Sequence, residues 1–168
     1  TDLDNYPMLF YAGKYFKKIF LSTGLADFKK VDLALRVLFL SQKHKNFESC
    51  CKRMYSKKKI NYSVLKNKVI IFQCTSSYPS KDSEVNLNGL ETYKKKFKLD
   101  IGFSDHTIGT ELALVSAGFG CRYIEKHFTL NKKSRGPDHS TSLDYNELNY
   151  LSYALKKTNK ALGSFHKK

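Results

Sequence analysis

Short runs that are apolar on both faces, each closing on polar residues, constrain this chain more than any other feature. Val69-Ile70-Ile71-Phe72 is the clearest case, ending in Gln73-Cys74-Thr75. A strand with one wet face alternates apolar and polar residues. An unbroken apolar run belongs in a parallel sheet, covered on both sides. The pattern recurs along the chain. Lys18-Ile19-Phe20-Leu21 ends at Ser22-Thr23-Gly24, and Leu99 to Phe103 ends at Ser104-Asp105-His106. Arg122-Tyr123-Ile124 opens a further strand that runs into Glu125-Lys126-His127.

Helical spacing fills the gaps. Asp27 is placed to cap a helix with Val31, Leu35 and Leu38 on one face. A second helix carries Leu87, Leu90 and Phe97, and a third, near 110–119, is expected to bury Leu112, Val115 and Phe119. The last opens on Asp144-x-x-Glu147, the spacing of a capping box, carries Leu148, Leu151, Leu155 and Leu162, and stops at Gly163. Strands alternating with helices predict an α/β fold with its polar residues at the C-terminal strand ends. Cys74 to Ser104 is 30 residues and Ser104 to Glu125 is 21. Those spacings come near the roughly 30 residues per unit of a (β/α)8 TIM-barrel type, although open α/β sheets gather their polar residues at the same strand ends; about four βα units are present. Ser22 to Cys74 is 52 residues, too long for one unit by about 20.

Charge locates the excess. Lys+Arg is 30 against Asp+Glu 15, a formal +15, and only four of the positive residues are Arg. Segment 41–68 alone holds nine Lys/Arg and one Glu. Length and charge thus independently mark 41–68 as a basic insertion. A Lys-rich stretch reads first as a solvated face, and the scarcity of Arg argues against nucleic acid as a partner. The alternative is a non-catalytic basic interaction module built on an old fold.

Other classes are excluded more simply. Hydrophobic content of 41%, with 14% aromatic, is too high for a disordered chain. No apolar run reaches the length of a membrane-spanning helix. Residues 1–7 are neither basic nor apolar enough for a secretory signal. The absence of an initiator Met fits a start inside a longer reading frame. Cys50, Cys51, Cys74 and Cys121 form no CxxC pair, which fits a reducing, cytoplasmic setting.

Two strings carry the sharpest chemistry: Ser104-Asp105-His106-Thr107 and Glu125-Lys126-His127-Phe128. Their imidazoles sit at strand ends one βα unit apart, and adjacent strands lie about 4.8 Å apart. Two such rings can share one first-row divalent ion, or each can simply join a polar layer by hydrogen bonding. Glu125 and His127 share a side of their strand, so the carboxylate can orient the ring or act on substrate, while Lys126 points outward. Gly136-Pro137-Asp138-His139 is a turn able to bring Asp138 over the same mouth. Ser22-Thr23-Gly24 offers a hydroxyl and backbone N–H groups at a helix start, a fair anion site. Tyr78-Pro79 can wall the pocket or simply pack the loop.

In this order these residues resemble the N-acetylneuraminate (sialic acid) synthase family. The matching strings are Asp4-Asn5-Tyr6-Pro7-Met8-Leu9, Leu21-Ser22-Thr23-Gly24-Leu25-Ala26, Cys74-Thr75-Ser76-Ser77-Tyr78-Pro79 with Val85-Asn86-Leu87, and Gly102-Phe103-Ser104-Asp105-His106-Thr107. Ile124-Glu125-Lys126-His127-Phe128-Thr129 follows, running to Gly136-Pro137-Asp138-His139 and Ser142-Leu143. The resemblance implies a (β/α)8 barrel that condenses phosphoenolpyruvate with N-acetylmannosamine or a related N-acetylated sugar to a nonulosonic acid, releasing phosphate. It implies Mn²⁺, with Mg²⁺ or Co²⁺ as alternatives, on His106 and His127. Ser22 and Ser104 match positions that hold phosphoenolpyruvate. Tyr78, Glu125, Asp138 and Asp2 match positions facing the sugar or the water on the metal, and Ser76 stands where the family usually has Asn.

The departures are equally definite. Against the family pattern the chain begins near the end of the fourth barrel strand. The first half-barrel, its phosphoenolpyruvate-binding lysines and the C-terminal antifreeze-like domain are therefore expected to be missing. The expectation is a chain inactive alone, completed as a homodimer or by a complementary N-terminal half-barrel. The residues do not choose among neuraminic, legionaminic, pseudaminic and 6-phosphorylated sugar substrates.

Overall fold

A computed structural model describes residues 2–164. Its centre is a sheet of β1 (Ile19–Ser22), β2 (Val69–Cys74), β3 (Asp100–Asp105) and β4 (Tyr123–Lys126), all parallel and in the order β1-β2-β3-β4. Strand order equals chain order, so each connection carries the chain back across one face. Those connections contain α2 (Phe28–Ser41), α3 (Phe47–Met54), α4 (Asp82–Val85), α5 (Asn88–Phe97) and α6 (Glu111–Gly118). Helix α1 (Tyr6–Tyr15) precedes β1, and α7 (Tyr145–Leu162) follows β4.

Register assigns each strand residue to a face. Leu21 pairs with Ile71, Ile71 with Ile101, and Phe103 with Ile124, so these point toward the helices. Leu21, Ile71, Ile101 and Phe103 join Val31, Leu35 and Leu38 of α2 and Leu90 and Phe97 of α5 in one buried cluster. Burying a side chain such as Ile71 in full contributes about 1.5–3 kcal/mol. The opposite, concave face carries Phe20, Phe72, Gly102 and Tyr123. A flat sheet would hold β1 and β4 about 14 Å apart, yet the Phe20 and Tyr123 ring centroids are 5.8 Å apart. The sheet is curled into a half-barrel, with Phe20 also packing edge-on against Phe72 at 5.5 Å. Gly102 is required by this packing: a Cβ there would lie 2.7 Å from the Phe72 ring.

The predicted caps form. Asp27 accepts from the Lys30 N–H, and Asp144 and Glu147 make a complete capping box at the start of α7. Leu151 is the buried residue of that helix, while Leu148 and Leu162 stay exposed. Helix α6 differs from expectation. Leu112 and Phe119 pack partly buried against the main cluster as expected, but full burial falls on Ala113, Ser116 and Ala117, and Val115 is half exposed. The helix is apolar nearly all round, so spacing does not choose its face. The small-residue stripe allows the close approach to α7, with Ala113 packed beside Leu151 and Leu143. Segment 41–68 is ordered as α3 and a 3-10 turn, Tyr62–Leu65. Its Cys50, Met54, Tyr62 and Leu65 are buried in the main cluster, so its lysines are the outer face of a packed element. The four cysteines are all free, and among the described residues no helix is long and apolar enough to cross a membrane.

Candidate active site at the strand ends

Register also builds the site. Cys74 pairs with Ser104, and Ser104 with Glu125, so three adjacent strands place these side chains in one layer of the concave face. The Ser104 hydroxyl donates to Glu125 Oε1 at 2.5 Å. Ser104 is buried whereas Glu125 opens to solvent. Ser22 lies at the end of β1, beside Phe72. The Thr23 N–H is taken by the Phe72 carbonyl at 2.9 Å and the Gly24 N–H by Cys74 Sγ at 3.0 Å. The anion site expected of that turn is thus reduced to what the Ser22 hydroxyl can offer. The sequence marks Cys74 only as a strand end; the register of β2 against β3 is what puts its thiol in the Ser104 layer.

One step beyond the layer, the strands deliver His106 and His127. Their ring centroids are 5.3 Å apart and nearly perpendicular. Tyr78 packs against both, at 4.2 Å from His106 and 5.7 Å from His127. The loop carrying Tyr78 is tied to β3 through Ser80 N–H donating to the His106 carbonyl at 2.9 Å. Burial first, then the adjacent His127, holds His106 below its ordinary 6.5. The His106 Nδ1 atom is buried and has no hydrogen-bond partner.

Behind the pair, on the helix side, Lys126 Nζ meets Asp105 Oδ2 at 2.8 Å and the Thr107 carbonyl at 2.6 Å. Lys126 therefore points outward, as alternation predicts. The loop after β4 folds back through Leu143 N–H to the His127 carbonyl at 2.9 Å. That return brings Asp138 Oδ2 to 3.7 Å from His127 Nδ1. A cavity of about 390 Å³ opens here, lined by His127, Phe128, Pro137, Asp138, His139 and Ser142.

The structure therefore brings together Ser104, Glu125, His106, His127, Tyr78 and Asp138. Ser76 is exposed and borders a separate cavity of about 470 Å³ with Thr23, Gly24 and Cys74. Asp2 is exposed near the chain start, its carbonyl accepting from Asn5 N–H at 3.0 Å. Two adjacent imidazoles, one of them held below its ordinary proton affinity and carrying a buried nitrogen without a hydrogen-bond partner, fit a divalent ion. Among the described residues no group of three or more His, Cys, Asp or Glu side chains is arranged to hold a metal, so the pair is a partial donor set.

A curled parallel sheet with paired histidines and carboxylates at its C-terminal rim defines an α/β protein whose chemistry sits where such folds place active sites. Comparison gives the family. The NeuB family profile matches residues 1–167, and the chain belongs to that family. It is 37% identical over 167 residues to the N,N'-diacetyllegionaminic acid synthase of Campylobacter jejuni, covering 99% of this chain and 44% of that protein. It is 39% identical over 93 residues to human N-acetylneuraminate-9-phosphate synthase, covering 55% of this chain and 26% of that one. Among solved structures, the sialic acid synthetase of Leptospira borgpetersenii superposes with a TM-score of 0.80 at 26% identity, over 99% of this chain and 50% of that one. The chain spans less than half the length of these curated relatives.

Proposed function

We propose that this chain is the second half of a (β/α)8 barrel of a nonulosonic acid synthase, joining phosphoenolpyruvate to an N-acetylated amino sugar. The observation that carries the reading is the meeting of His106 and His127 directly above the Ser104–Glu125 pair. In the reaction, C3 of phosphoenolpyruvate bonds to the sugar aldehyde carbon, water adds its oxygen at C2, and the C2–O bond breaks to release phosphate. His106 and His127 would hold the divalent ion, Mn²⁺ first among the alternatives. When bound, that ion supplies Lewis-acid polarisation of the aldehyde.

The chain's own groups do the rest. Glu125, oriented by the Ser104 hydroxyl, is the acid–base group for the water that adds. Asp138 holds His127 in orientation and faces the sugar. Ser22 and Ser104 contact phosphoenolpyruvate, Ser76 lines the substrate approach beside Leu3 and Asp4, Tyr78 walls the sugar, and Asp2 faces it. Four strands provide half of the lumen wall, so the isolated chain is inactive, and a homodimer or a complementary N-terminal half-barrel completes it. The setting is cytoplasmic.

The test has two arms. Mn²⁺ should raise the melting temperature of the chain, and His106→Ala with His127→Ala should abolish the rise. Phosphate release from phosphoenolpyruvate with N-acetylmannosamine should be absent for the chain alone and appear when a relative's first half-barrel is supplied. A melt indifferent to Mn²⁺ overturns the metal assignment.

A further inference from the structure

A cavity of about 670 Å³ opens between the second half of α2, α3 and residues 56–64. Helix α2 leaves the C-terminal end of β1 and runs back, so this cavity lies toward the end of the sheet opposite His106 and His127. Arg36, Lys43, Lys52, Arg53, Lys58 and Lys59 line it, and its described lining includes no carboxylate. The acid nearest to Arg36, Asp32, is already engaged by Arg36 at 3.8 Å and by the Tyr62 hydroxyl at 2.9 Å. Six cations around one opening repel one another and concentrate anions there.

Two of the cations are held in place. Arg36 is largely buried, and its Nη1 donates to the Lys58 carbonyl at 2.9 Å. Lys43 Nζ sits 4.6 Å over the Phe39 ring. Phe39, Leu40, Ile60 and Val64 form an apolar part of the wall, and His44, Ser56 and Asn61 complete it. A bare inorganic anion has no use for such a wall, and a nucleic-acid strand needs a track rather than a cavity. The volume falls in the range of small-molecule sites.

We infer that this cavity binds a small polyanion carrying an apolar ring, of the nucleoside polyphosphate class. Phosphates meet Lys52, Arg53, Lys58 and Lys59, and the base lies against Ile60 and Leu40. The site is formed by the basic segment together with α2, and it needs nothing from the synthase reading.

The experiment is calorimetric titration of the full chain in EDTA, which keeps metal at His106 and His127 out of the measurement. The probes are ATP, tripolyphosphate, adenosine and a single-stranded DNA of about 20 nucleotides. ATP should bind, tripolyphosphate about tenfold more weakly, and adenosine not measurably. Lys52→Gln and Lys58→Gln should each weaken ATP several-fold. Hydrogen exchange on the unaltered chain should show ATP protecting residues 36–64 and not the strand ends, which decides the matter even where a variant folds poorly. Tripolyphosphate binding as tightly as ATP would reduce the cavity to counterion attraction and overturn the proposal. Protection outside 36–64, or DNA binding where ATP does not, would overturn it too.

Discussion

Lys126 and Asp105 form an ion pair at 2.8 Å with both side chains almost wholly buried, on the face of the sheet opposite His106 and His127. They are register partners on β3 and β4, and each immediately precedes one of the two histidines. The pair therefore locks the two strand ends side by side, and Asp105 also accepts from the Thr107 N–H and hydroxyl. Lys126→Met should leave Asp105 buried and uncompensated, at a cost of about 3–5 kcal/mol. Adding Asp105→Asn should recover part of that loss. Denaturant unfolding of the two variants measures both effects; equal stabilities would show that the charges are not coupled.

Gly102 lies under the Phe72 ring, and a methyl group there would clash with it at 2.7 Å. Phe72 is buried and braced by Phe20, so the ring has little room to move. Gly102→Ala should destabilise the chain by about 1–3 kcal/mol. Phe72→Leu in the same chain should relieve most of that. Thermal melts of the single and double variants test the clash directly, since a cost unaffected by Phe72→Leu must arise elsewhere.

What the sequence made legible was whatever local pattern alone determines. The unbroken apolar run at Val69 to Phe72, the cap at Asp27 and the box at Asp144 each became the predicted element. Alternation correctly turned Lys126 away from the imidazoles. What escaped depends on contacts distant in the chain. The buried face of α6 is set by its approach to α7, which no spacing within 111–118 encodes. Helix α3 hides in a segment dominated by charge; Phe47, Cys50 and Met54, at helical spacing and packed on the core, are its apolar signal, with Asn46 as its cap. Helix α1 carries a comparable cue, with Asn5 as its cap and Pro7 in its first turn. At the site, the two histidines were legible as strand ends. The Ser104–Glu125 bond and the thiol of Cys74 follow only from the register between strands.

The Asp144 carboxylate accepts from the Glu147 N–H, while Glu147 accepts from the Asp144 N–H, each at 2.9 Å. Helix α7 is mostly exposed and contributes one buried residue, Leu151, so its start depends on that cap. Asp144→Ala should cost about 1 kcal/mol. The loss should register in far-ultraviolet circular dichroism as fraying before the main transition. Asp144→Ser should retain most of the stability, and failure of that rescue would assign the effect to something other than capping.

His106 supplies a pH dependence whose direction follows from its surroundings. Burial, then the neighbouring His127, lowers its proton affinity in the folded chain below the ordinary 6.5. As pH falls through that ordinary value the unfolded chain takes up a proton that the folded chain still refuses. Stability is therefore complete above about 6.5 and declines as pH falls toward the lower folded value, after which this contribution stays constant. His106→Gln should remove that part of the slope, so the stability difference between the unaltered chain and the variant should change between pH 7 and the folded value. Urea titrations at stepped pH measure it. A difference that stays flat across that window would mean the ring is no more reluctant to charge in the fold than in water, and the neutral, lone-pair-bearing imidazole assigned to this position would lose its physical basis.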